Sequence, residues 1–275
     1  MSGLADLQSC GTTTVNYLEP GEQNPFFDVK SQSENRIAFD PRAVPIHDAR
    51  PIAGEVTLER DGFKLLRYAT RLRREDFRTP QYVTSVYLRE IERAIQDATG
   101  AELVVAANAP IVRLNSEDAE QQNLVKPAAI AHADYTAVTL RELMAQDLPI
   151  AAPGFRQFKR VVAYQTWRVL SPPPQDNTLM FCDPASVDPQ DLMVGTFLAP
   201  PQMVMLEFKV ARYNPAHRWC FVSGLGADEL LLFKGFEAGC DERLNVLHGG
   251  FPVPNSGSTT PRESVEARAY AFFRD

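Results

Sequence analysis

Residues 264–273 read Ser-Val-Glu-Ala-Arg-Ala-Tyr-Ala-Phe-Phe. Small apolar side chains recur at every second position from Val265 to Ala271, and Glu266, Arg268 and Tyr270 stand between them. Successive side chains of a β-strand point to opposite faces of the sheet. The alternation therefore predicts a strand with two unlike faces.

Five other β-type runs occur in the second half of the chain, bounded by Pro, Gly, Asp or Asn. No long helical pattern separates them, so together with residues 264–273 they fit antiparallel pairing in a sandwich or barrel. We therefore expect a mainly β fold with flanking helices. The five runs are residues 161–170, 203–213, 219–223, 229–236 and 244–248.

Prolines mark the first 60 residues as an extended arm that lies over the body of the protein. This segment shows little of the periodic apolar spacing of a helix or strand, and it contains Pro20, Pro25, Pro41, Pro45 and Pro51. We expect a single domain over residues 1–275. Its parts are the arm (1–60), helical and strand support (61–157) and the main part of the β core (158–275).

Two helices and a hairpin are expected between the arm and the β core. Pro80 suits the first position of a helix, and Gly100 suits the end of the same helix. A second, shorter helix is expected over residues 137–145. The Asp-Gly pair at 61–62 favours a tight turn, so residues 54–70 predict two short strands.

Charge and composition argue against several classes of protein. The chain has 275 residues and a formal net charge of −7 at pH 7, which disfavours a nucleic acid or an anionic membrane as the partner. No apolar run approaches the about 20 residues that span a bilayer. The first ten residues have neither the basic nor the apolar region of a secretory leader. The four cysteines form no C-x-x-C pair, so we predict free thiols and a cytoplasmic location.

The sequence His132-Ala133-Asp134 is the first candidate for chemistry. In a strand, residues two apart point to the same side, so one metal ion can reach both side chains. Histidine with a carboxylate suits iron(II) and other first-row metals. The motif is weak alone. In a chain of 275 residues with four histidines and 35 acidic residues, an H-x-D/E pattern occurs by chance about half the time.

His248, followed by two glycines and Phe251, is the second candidate. A histidine that ends a strand before two glycines can project into a cavity while the backbone turns away. Two histidines and one carboxylate on one face of an ion make the facial triad of non-haem iron(II) oxygenases, which leaves coordination positions open. A hydrogen-bonded structural histidine is the alternative for His248.

Arg262 and Ser264 are the third candidate, because residues two apart lie on one face of a strand. A guanidinium fork with a nearby hydroxyl suits bidentate binding of a small carboxylate, and Arg268 faces the same way. A surface arginine in an ion pair is the alternative for an isolated R-x-S. The more specific signal is the order of the motifs: H-x-D, then a distal histidine, then R-x-S on the next strand.

Blocks from about residue 46 to residue 273 carry a resemblance to a known family. The most specific is Pro-Arg-Glu-Ser-Val-Glu-Ala-Arg at 261–268. The others are residues 46–50, 61–65, 131–136, 165–168, 182–183, 217–219, 228–229, 232–236 and 248–251. On these blocks the sequence resembles the fungal hydroxylase/desaturase family of the AsaB type, which includes NvfI-like and CmcJ-like natural-product oxygenases.

The resemblance implies a double-stranded β-helix, a cupin-like jelly roll, that binds iron(II) and 2-oxoglutarate and uses O2. It maps the iron ligands onto His132, Asp134 and His248, and the co-substrate carboxylate onto Arg262 with Ser264. Members of such families oxidise fungal secondary metabolites by hydroxylation, desaturation or oxygen-bridge formation. The family more often has Thr-Ala than Gly-Gly after the distal histidine, so we expect a wider or looser pocket wall there.

Further residues of these blocks receive predicted roles. Arg168 is expected to reach toward the co-substrate or substrate, with a cap on a strand edge as its alternative. His217 and Trp219 either line the cavity or pack in a turn, and the packed turn is favoured. His47 is expected outside the site. Contacts with the substrate are predicted for Tyr135, Trp167 and Phe251.

The leading hypothesis is an iron(II)- and 2-oxoglutarate-dependent dioxygenase that oxidises a C–H bond of a secondary-metabolite intermediate. One alternative is a redox-neutral or 2-oxoglutarate-independent metalloenzyme on the same fold. Another is a non-catalytic β-barrel that binds a ligand or a partner protein. Apolar residues at many predicted inward positions fit a hydrophobic natural product as the substrate, and a plain hydrophobic core is the alternative. The proline-rich arm could embrace a second subunit, which leaves a homodimer or heterodimer open.

Overall fold

The computed structural model consists mainly of β-strands and describes residues 3–28, 37–108, 110–122, 124–148, 153–199, 204–254, 257 and 260–274. The strands within these residues are β1 (Ser9–Leu18), β2 (Phe26–Asp28), β3 (Phe39–Asp48), β4 (Phe63–Arg67), β5 (Leu103–Ala106), β6 (Ile111–Leu114), β7 (His132–Ala133), β8 (Arg160–Val169), β9 (Asn177–Cys182), β10 (Leu192–Ala199), β11 (Val204–Ala211), β12 (Trp219–Phe221), β13 (Glu229–Glu237), β14 (His248–Pro252) and β15 (Glu263–Phe273).

The strands form two sheets that pack face to face. One sheet has nine strands in the order β1-β3-β12-β9-β14-β7-β11-β10-β2, and the other has six, β4-β13-β8-β15-β5 with β6 also paired to β15. Phe63 and Phe233 of the six-stranded sheet and Phe181 of the nine-stranded sheet share one buried cluster between the sheets. Neighbouring strands are antiparallel except for the pairs β2–β10 and β3–β12. The predicted mainly β sandwich is confirmed.

Strand β15 has the two unlike faces that its alternation predicts. It pairs with β8 along its length and with β5 and β6 on its other side. Alternate residues from Val265 to Phe273 pack into the cluster beneath the helices. Arg262 and Glu266 face the opposite way, toward the nine-stranded sheet, where they line the same cavity as His132. This inner face of β15 therefore forms one wall of the candidate site.

A long helical segment covers the outer face of the six-stranded sheet. It begins with the single turn α1 (Pro80–Tyr82), passes through a π-helical turn (Val83–Tyr87) and continues as α2 (Leu88–Thr99). Ile91 is fully buried against the sheet. Gly100 closes the helix with φ of 71°, a left-handed conformation that favours glycine. The helix predicted between Pro80 and Gly100 is confirmed.

The second predicted helix is also confirmed, as α3 (Ala137–Asp147). Thr136 caps it, because its side-chain oxygen accepts hydrogen bonds from the backbone N–H groups of Val138 and Thr139. No helix in the described ranges is both long and apolar enough to cross a bilayer. Short 3₁₀ turns occur at Leu4–Asp6, Arg50–Ile52, Arg74–Arg78, Glu120–Gln122, Pro153–Phe155, Pro184–Ser186, Pro189–Asp191 and Glu242–Leu244.

The predicted N-terminal arm is wrong, because the described part of residues 1–60 supplies three strands to the nine-stranded sheet. Strand β1 pairs with β3 along most of its length. Pro41 and Pro45 suggested an irregular segment. They lie in the part of β3 that has β1 but not β12 beside it, because β3 pairs with β12 only from Ile46 onward. Prolines are tolerated in a strand where the missing N–H has no ladder partner. This explains why a proline-rich segment forms regular β structure.

The hairpin predicted around residues 61–62 is wrong in its first strand. Only β4 forms, and it pairs with β13. Before it, the side chain of Asp61 accepts the backbone N–H of Thr57 at 2.7 Å and closes a turn. Gly62 follows with φ of 73°. The Asp-Gly pair therefore ends a turn that leads into β4 instead of joining two strands.

Candidate metal centre

His132 and His248 lie directly opposite each other on the neighbouring strands β7 and β14. Nδ1 of His132 lies 2.8 Å from the carbonyl oxygen of Ile130, and Nδ1 of His248 lies 2.8 Å from that of Val246. Each Nδ1–H donates to a backbone carbonyl, so in the neutral ring Nε2 is the nitrogen available as a ligand atom. The backbone therefore sets both rings in the form that binds metal.

Asp134 completes a group of three donors. Its Oδ1 lies 3.5 Å from His132 Nε2, and its Oδ2 lies 3.8 Å from His248 Nε2. One ligand atom from each of the three residues falls within 4.8 Å of the others. The structure thus brings together His132, Asp134 and His248, as the motif order predicts, at a spacing that one ion can bridge.

The charges around these donors suit a divalent cation. Burial raises the pKa of Asp134, but Arg268 and both histidines outweigh burial and hold it well below its usual range. Burial and the neighbouring His132 lower the pKa of His248 to about 4. An ionised carboxylate beside two imidazoles is a donor set of first-row metals, which bind the neutral rings and release any proton on Nε2. The residues present therefore fit an iron(II) ion.

A small cavity lies beside these donors, between the two sheets. The predicted residues His132, His248, Arg262 and Trp167 line it. Its apolar wall comes from both sheets, with Phe233 on β13 and Leu179 on β9. The remaining lining residues are Arg113, Ala128, Gly249, Gly250 and Glu266.

Arg262 is 1% exposed, and its guanidinium faces this cavity. Its Nε and Nη2 atoms have no hydrogen-bond partner among the described residues. Burial, together with Arg113, lowers its pKa to about 9, so the charged form is held at a cost that a bound anion would relieve. The hydroxyl of Ser264, on the same strand face, is buried and also lacks a described partner. The pair fits the carboxylate of a co-substrate.

The two glycines after His248 lie inside β14, which begins at His248, so the prediction that His248 ends a strand is wrong. A Cβ on Gly249 would lie 2.6 Å from the carbonyl oxygen of Ile130 and 2.4 Å from the Phe251 ring. A Cβ on Gly250 would lie 3.0 Å from the Pro127 side chain. The glycines allow close approach of neighbouring groups and both line the cavity, and the expected widening of the pocket wall stays a prediction.

Arg168 lies on the opposite face of β8 from Trp167 and does not line the cavity. Its Nη1 donates to the carbonyl oxygen of Ala227 at 2.5 Å, and its Nη2 donates to that of Tyr68 at 2.6 Å. The side chain is fully buried on the helix side of the sheet, 5.7 Å from the Tyr87 ring centre. The predicted co-substrate role of Arg168 is therefore corrected: this arginine ties two loops together.

The Arg168→Met variant tests this correction. We expect the free energy of unfolding to fall by about 2–4 kcal/mol, because two backbone carbonyl groups lose their hydrogen bonds to a buried guanidinium. The KM for 2-oxoglutarate should stay unchanged, since the side chain lies outside the cavity. Urea unfolding and the 2-oxoglutarate dependence of succinate release measure the two effects. A raised KM with unchanged stability would restore the original assignment.

Two of the three predicted substrate contacts are also corrected. Phe251 points away from His248, to the outer face of the sheet, and packs 5.3 Å from the Trp219 ring centre. Tyr135 is fully buried in a core cluster with Tyr270 and Phe272 and does not line the cavity. Of the three, Trp167 alone lines the cavity, and its substrate contact stays a prediction.

The two remaining histidines lie in packed environments. His217 is buried, with its ring stacked on Tyr17 and its Nε2 3.2 Å from Asp191 Oδ2. The indole N–H of Trp219 donates to the Tyr17 hydroxyl at 2.7 Å. Nδ1 of His47 lies 2.9 Å from the backbone carbonyl of Trp219. This arrangement agrees with the packed turn favoured for His217 and Trp219 and with the position of His47 outside the site.

Sequence reasoning missed Gln165 and Glu266, and it placed Arg268 on the face of Arg262 without a role beside Asp134. Gln165 and Arg268 both donate to Asp134 Oδ2. Glu266 pairs with Arg268 and with Arg113. A signal was available, because Glu266 and Arg268 share the strand face of Arg262 by the two-residue period. Gln165 belongs to a block that carried the family resemblance, but nothing in the sequence placed it opposite Asp134.

Comparisons with known proteins show which families and proteins this chain resembles. Residues 15–272 match the family model described as "Oxidoreductase/YMDC permease-like domain". The chain is 28% identical over 246 residues to the alpha-ketoglutarate-dependent dioxygenase tstK of Talaromyces stipitatus, which covers 84% of this chain and 85% of that protein. It is 28% identical over 287 residues to the hydroxylase/desaturase efuI of Hormonema carpetanum, and this match covers 96% of this chain and 95% of that protein.

The fold is also similar to a solved structure. The iron and alpha-ketoglutarate-dependent endoperoxidase NvfI superposes with a TM-score of 0.84 at 22% identity, over 97% of this chain and 98% of that chain. This likeness confirms the double-stranded β-helix, and the named relatives confirm the resemblance to fungal hydroxylase/desaturases.

Proposed function

The chain belongs to the Oxidoreductase/YMDC permease-like domain family, and on that premise we propose that it is an iron(II)- and 2-oxoglutarate-dependent dioxygenase of secondary metabolism. One observation carries the proposal. Three metal-ligand atoms, from His132, Asp134 and His248, lie within 4.8 Å of one another, and the buried guanidinium of Arg262 shares the cavity of the two histidines. A cation and an anion can therefore bind side by side.

The residues of the chain divide the work of this site. His132, Asp134 and His248 would hold the iron, and Arg262 with Ser264 would hold the distal carboxylate of 2-oxoglutarate. When bound, iron(II) and 2-oxoglutarate supply the oxidation of an unactivated C–H bond by O2, with release of succinate and CO2. The protein orients these groups and keeps water away from them, and Phe233 and Leu179 provide the apolar wall for this.

We further propose a hydrophobic natural-product intermediate as the substrate. The apolar cavity wall, which includes Trp167, supports this class. Hydroxylation, desaturation and oxygen-bridge formation are all open outcomes for such a site, because each of them begins with the removal of a hydrogen atom from carbon.

A cytoplasmic location and a dimer are also proposals. The four cysteines are free thiols, which fits a reducing compartment. Because β1 and β3 pair within the nine-stranded sheet, the proposed homodimer or heterodimer no longer rests on an embracing arm. Strand β1 stands at one end of that sheet, where Asn16 and Leu18 form isolated bridges with Ile130 and Arg212, so the dimer is proposed without an assigned contact surface.

Oxygen uptake by the full-length protein with Fe(II) tests the proposed activity. We expect about one equivalent of bound iron and O2 uptake that requires 2-oxoglutarate and matches succinate release, even without the natural substrate. O2 uptake that is independent of 2-oxoglutarate would favour the alternative metalloenzyme on this fold. A protein that binds no divalent metal would favour the non-catalytic β-barrel.

A further inference from the structure

The second oxygen of Asp134 is held by the sheet that faces the two histidines. Gln165 Nε2 donates to Asp134 Oδ2 at 2.5 Å, and Arg268 Nη2 donates to the same atom at 3.3 Å. Asp134 Oδ1 lies 3.5 Å from His132 Nε2 instead. Each oxygen thus lies near one predicted metal ligand, because Oδ2 is also 3.8 Å from His248 Nε2, but two side-chain donors bind Oδ2.

Both donors come from the same rung of the six-stranded sheet. Gln165 on β8 and Arg268 on β15 are directly paired. Directly paired residues point their side chains to the same face, so both reach across the space between the sheets to one atom. Gln165 is fully buried, and its amide is assigned with the NH2 group toward the carboxylate, the orientation that allows donation.

Arg268 is itself fixed by a neighbouring carboxylate. Its Nη2 lies 3.1 Å from Glu266 Oε1, and Glu266 Oε2 lies 3.3 Å from Arg113 Nε. Charges of alternating sign thus run from Asp134 through Arg268 and Glu266 to Arg113. Arg113 in turn donates to the backbone carbonyl of Lys126 at 3.0 Å. The guanidinium beside Asp134 is held from both sides.

We infer that Gln165 and Arg268 are positioning residues that fix Asp134 as a one-oxygen metal ligand through Oδ1, an inference that rests on the proposed iron site. A carboxylate can bind a cation through one oxygen or through two. A second oxygen on the metal would take a position that the co-substrate or O2 needs. Two donors on Oδ2 oppose both that binding mode and rotation of the carboxylate, as outer partners of metal ligands do elsewhere.

Two substitutions that keep the net charge test this inference. Gln165→Leu removes one donor, and Arg268→Lys keeps the positive charge but removes the guanidinium fork. We titrate each full-length variant with Co²⁺ without 2-oxoglutarate and follow the visible absorption. We expect about 10- to 100-fold weaker binding. The absorption spectrum should also change, because the number and geometry of the ligands change.

Arg160→Lys is the matched control, because Arg160 lies on β8, like Gln165, and pairs with Glu237 outside the site. Its Co²⁺ affinity and spectrum should equal those of the wild type. Thermal unfolding of the metal-free variants separates positioning from packing. If Gln165→Leu lowers only the melting temperature and leaves Co²⁺ affinity and spectrum unchanged, the inference is overturned.

Arg268→Lys keeps the inference falsifiable if Gln165→Leu does not fold, since the same two readouts apply to it. A wild-type protein that binds no Co²⁺ would contradict the proposed function itself. Wild-type binding together with unaffected variants would contradict only the positioning role.

Discussion

Asp134→Ala is expected to abolish 2-oxoglutarate-dependent succinate release while the protein stays folded. The substitution removes the anionic donor of the site and leaves the two imidazoles of His132 and His248. Loss of an outer partner of a metal ligand lowers metal affinity by up to about 100-fold. Because Asp134 is itself a ligand, we expect the affinity for a divalent metal to fall by more than that. Succinate assays and Co²⁺ titration on the same preparation measure both losses, and circular dichroism verifies the fold.

Asp241→Ala is the matched control, because Asp241 is a surface carboxylate that pairs with Arg243. It should keep wild-type succinate release and metal binding. His248→Ala should reproduce the loss seen with Asp134→Ala, although it removes a neutral ligand. Normal turnover by folded Asp134→Ala and His248→Ala proteins would show that this cluster does not hold the catalytic metal.

The fold was predictable from the sequence where the two faces of a strand have different surroundings, because the side chains then alternate in type. The alternation in β15 predicts a strand, because its two faces meet a helix-covered core and the interior between the sheets. Strand β9 was missed because its apolar residues run without alternation, since the strand is buried on both faces. The strands of the first 60 residues were missed because prolines usually argue against a strand. The prolines of β3 are tolerated because β12 does not pair with that part of β3, and the sequence does not show which strands are neighbours.

The site was predictable as far as short spacing determines it. Two residues of separation place Asp134 beside His132 at the end of β7 and Arg262 beside Ser264 at the start of β15. Arg168 was misassigned because a shift of one position moves a side chain to the other face of its strand. The role of Gln165 depends on which strand lies opposite Asp134. That pairing across the sheets leaves no mark in a single sequence.

Arg262→Ala is expected to raise the KM for 2-oxoglutarate much more than it lowers kcat. The substitution removes a buried guanidinium whose Nε and Nη2 have no partner among the described residues. A hydrogen bond to a charged group contributes about 1.5–3 kcal/mol, which corresponds to an increase in KM of about 10- to 100-fold. Succinate release measured over a range of 2-oxoglutarate concentrations separates KM from kcat.

Arg262→Lys and Arg168→Met make this prediction specific. Lysine keeps the positive charge but cannot form the bidentate fork, so Arg262→Lys should give an intermediate KM. Arg168→Met removes another buried arginine of the same sheet, outside the cavity, and should leave KM unchanged while it lowers stability. Co²⁺ binding without 2-oxoglutarate should persist in Arg262→Ala, because the metal ligands remain. An unchanged KM in a folded Arg262→Ala protein would mean that the co-substrate carboxylate binds elsewhere, and loss of Co²⁺ binding would mean that this arginine supports the metal site instead.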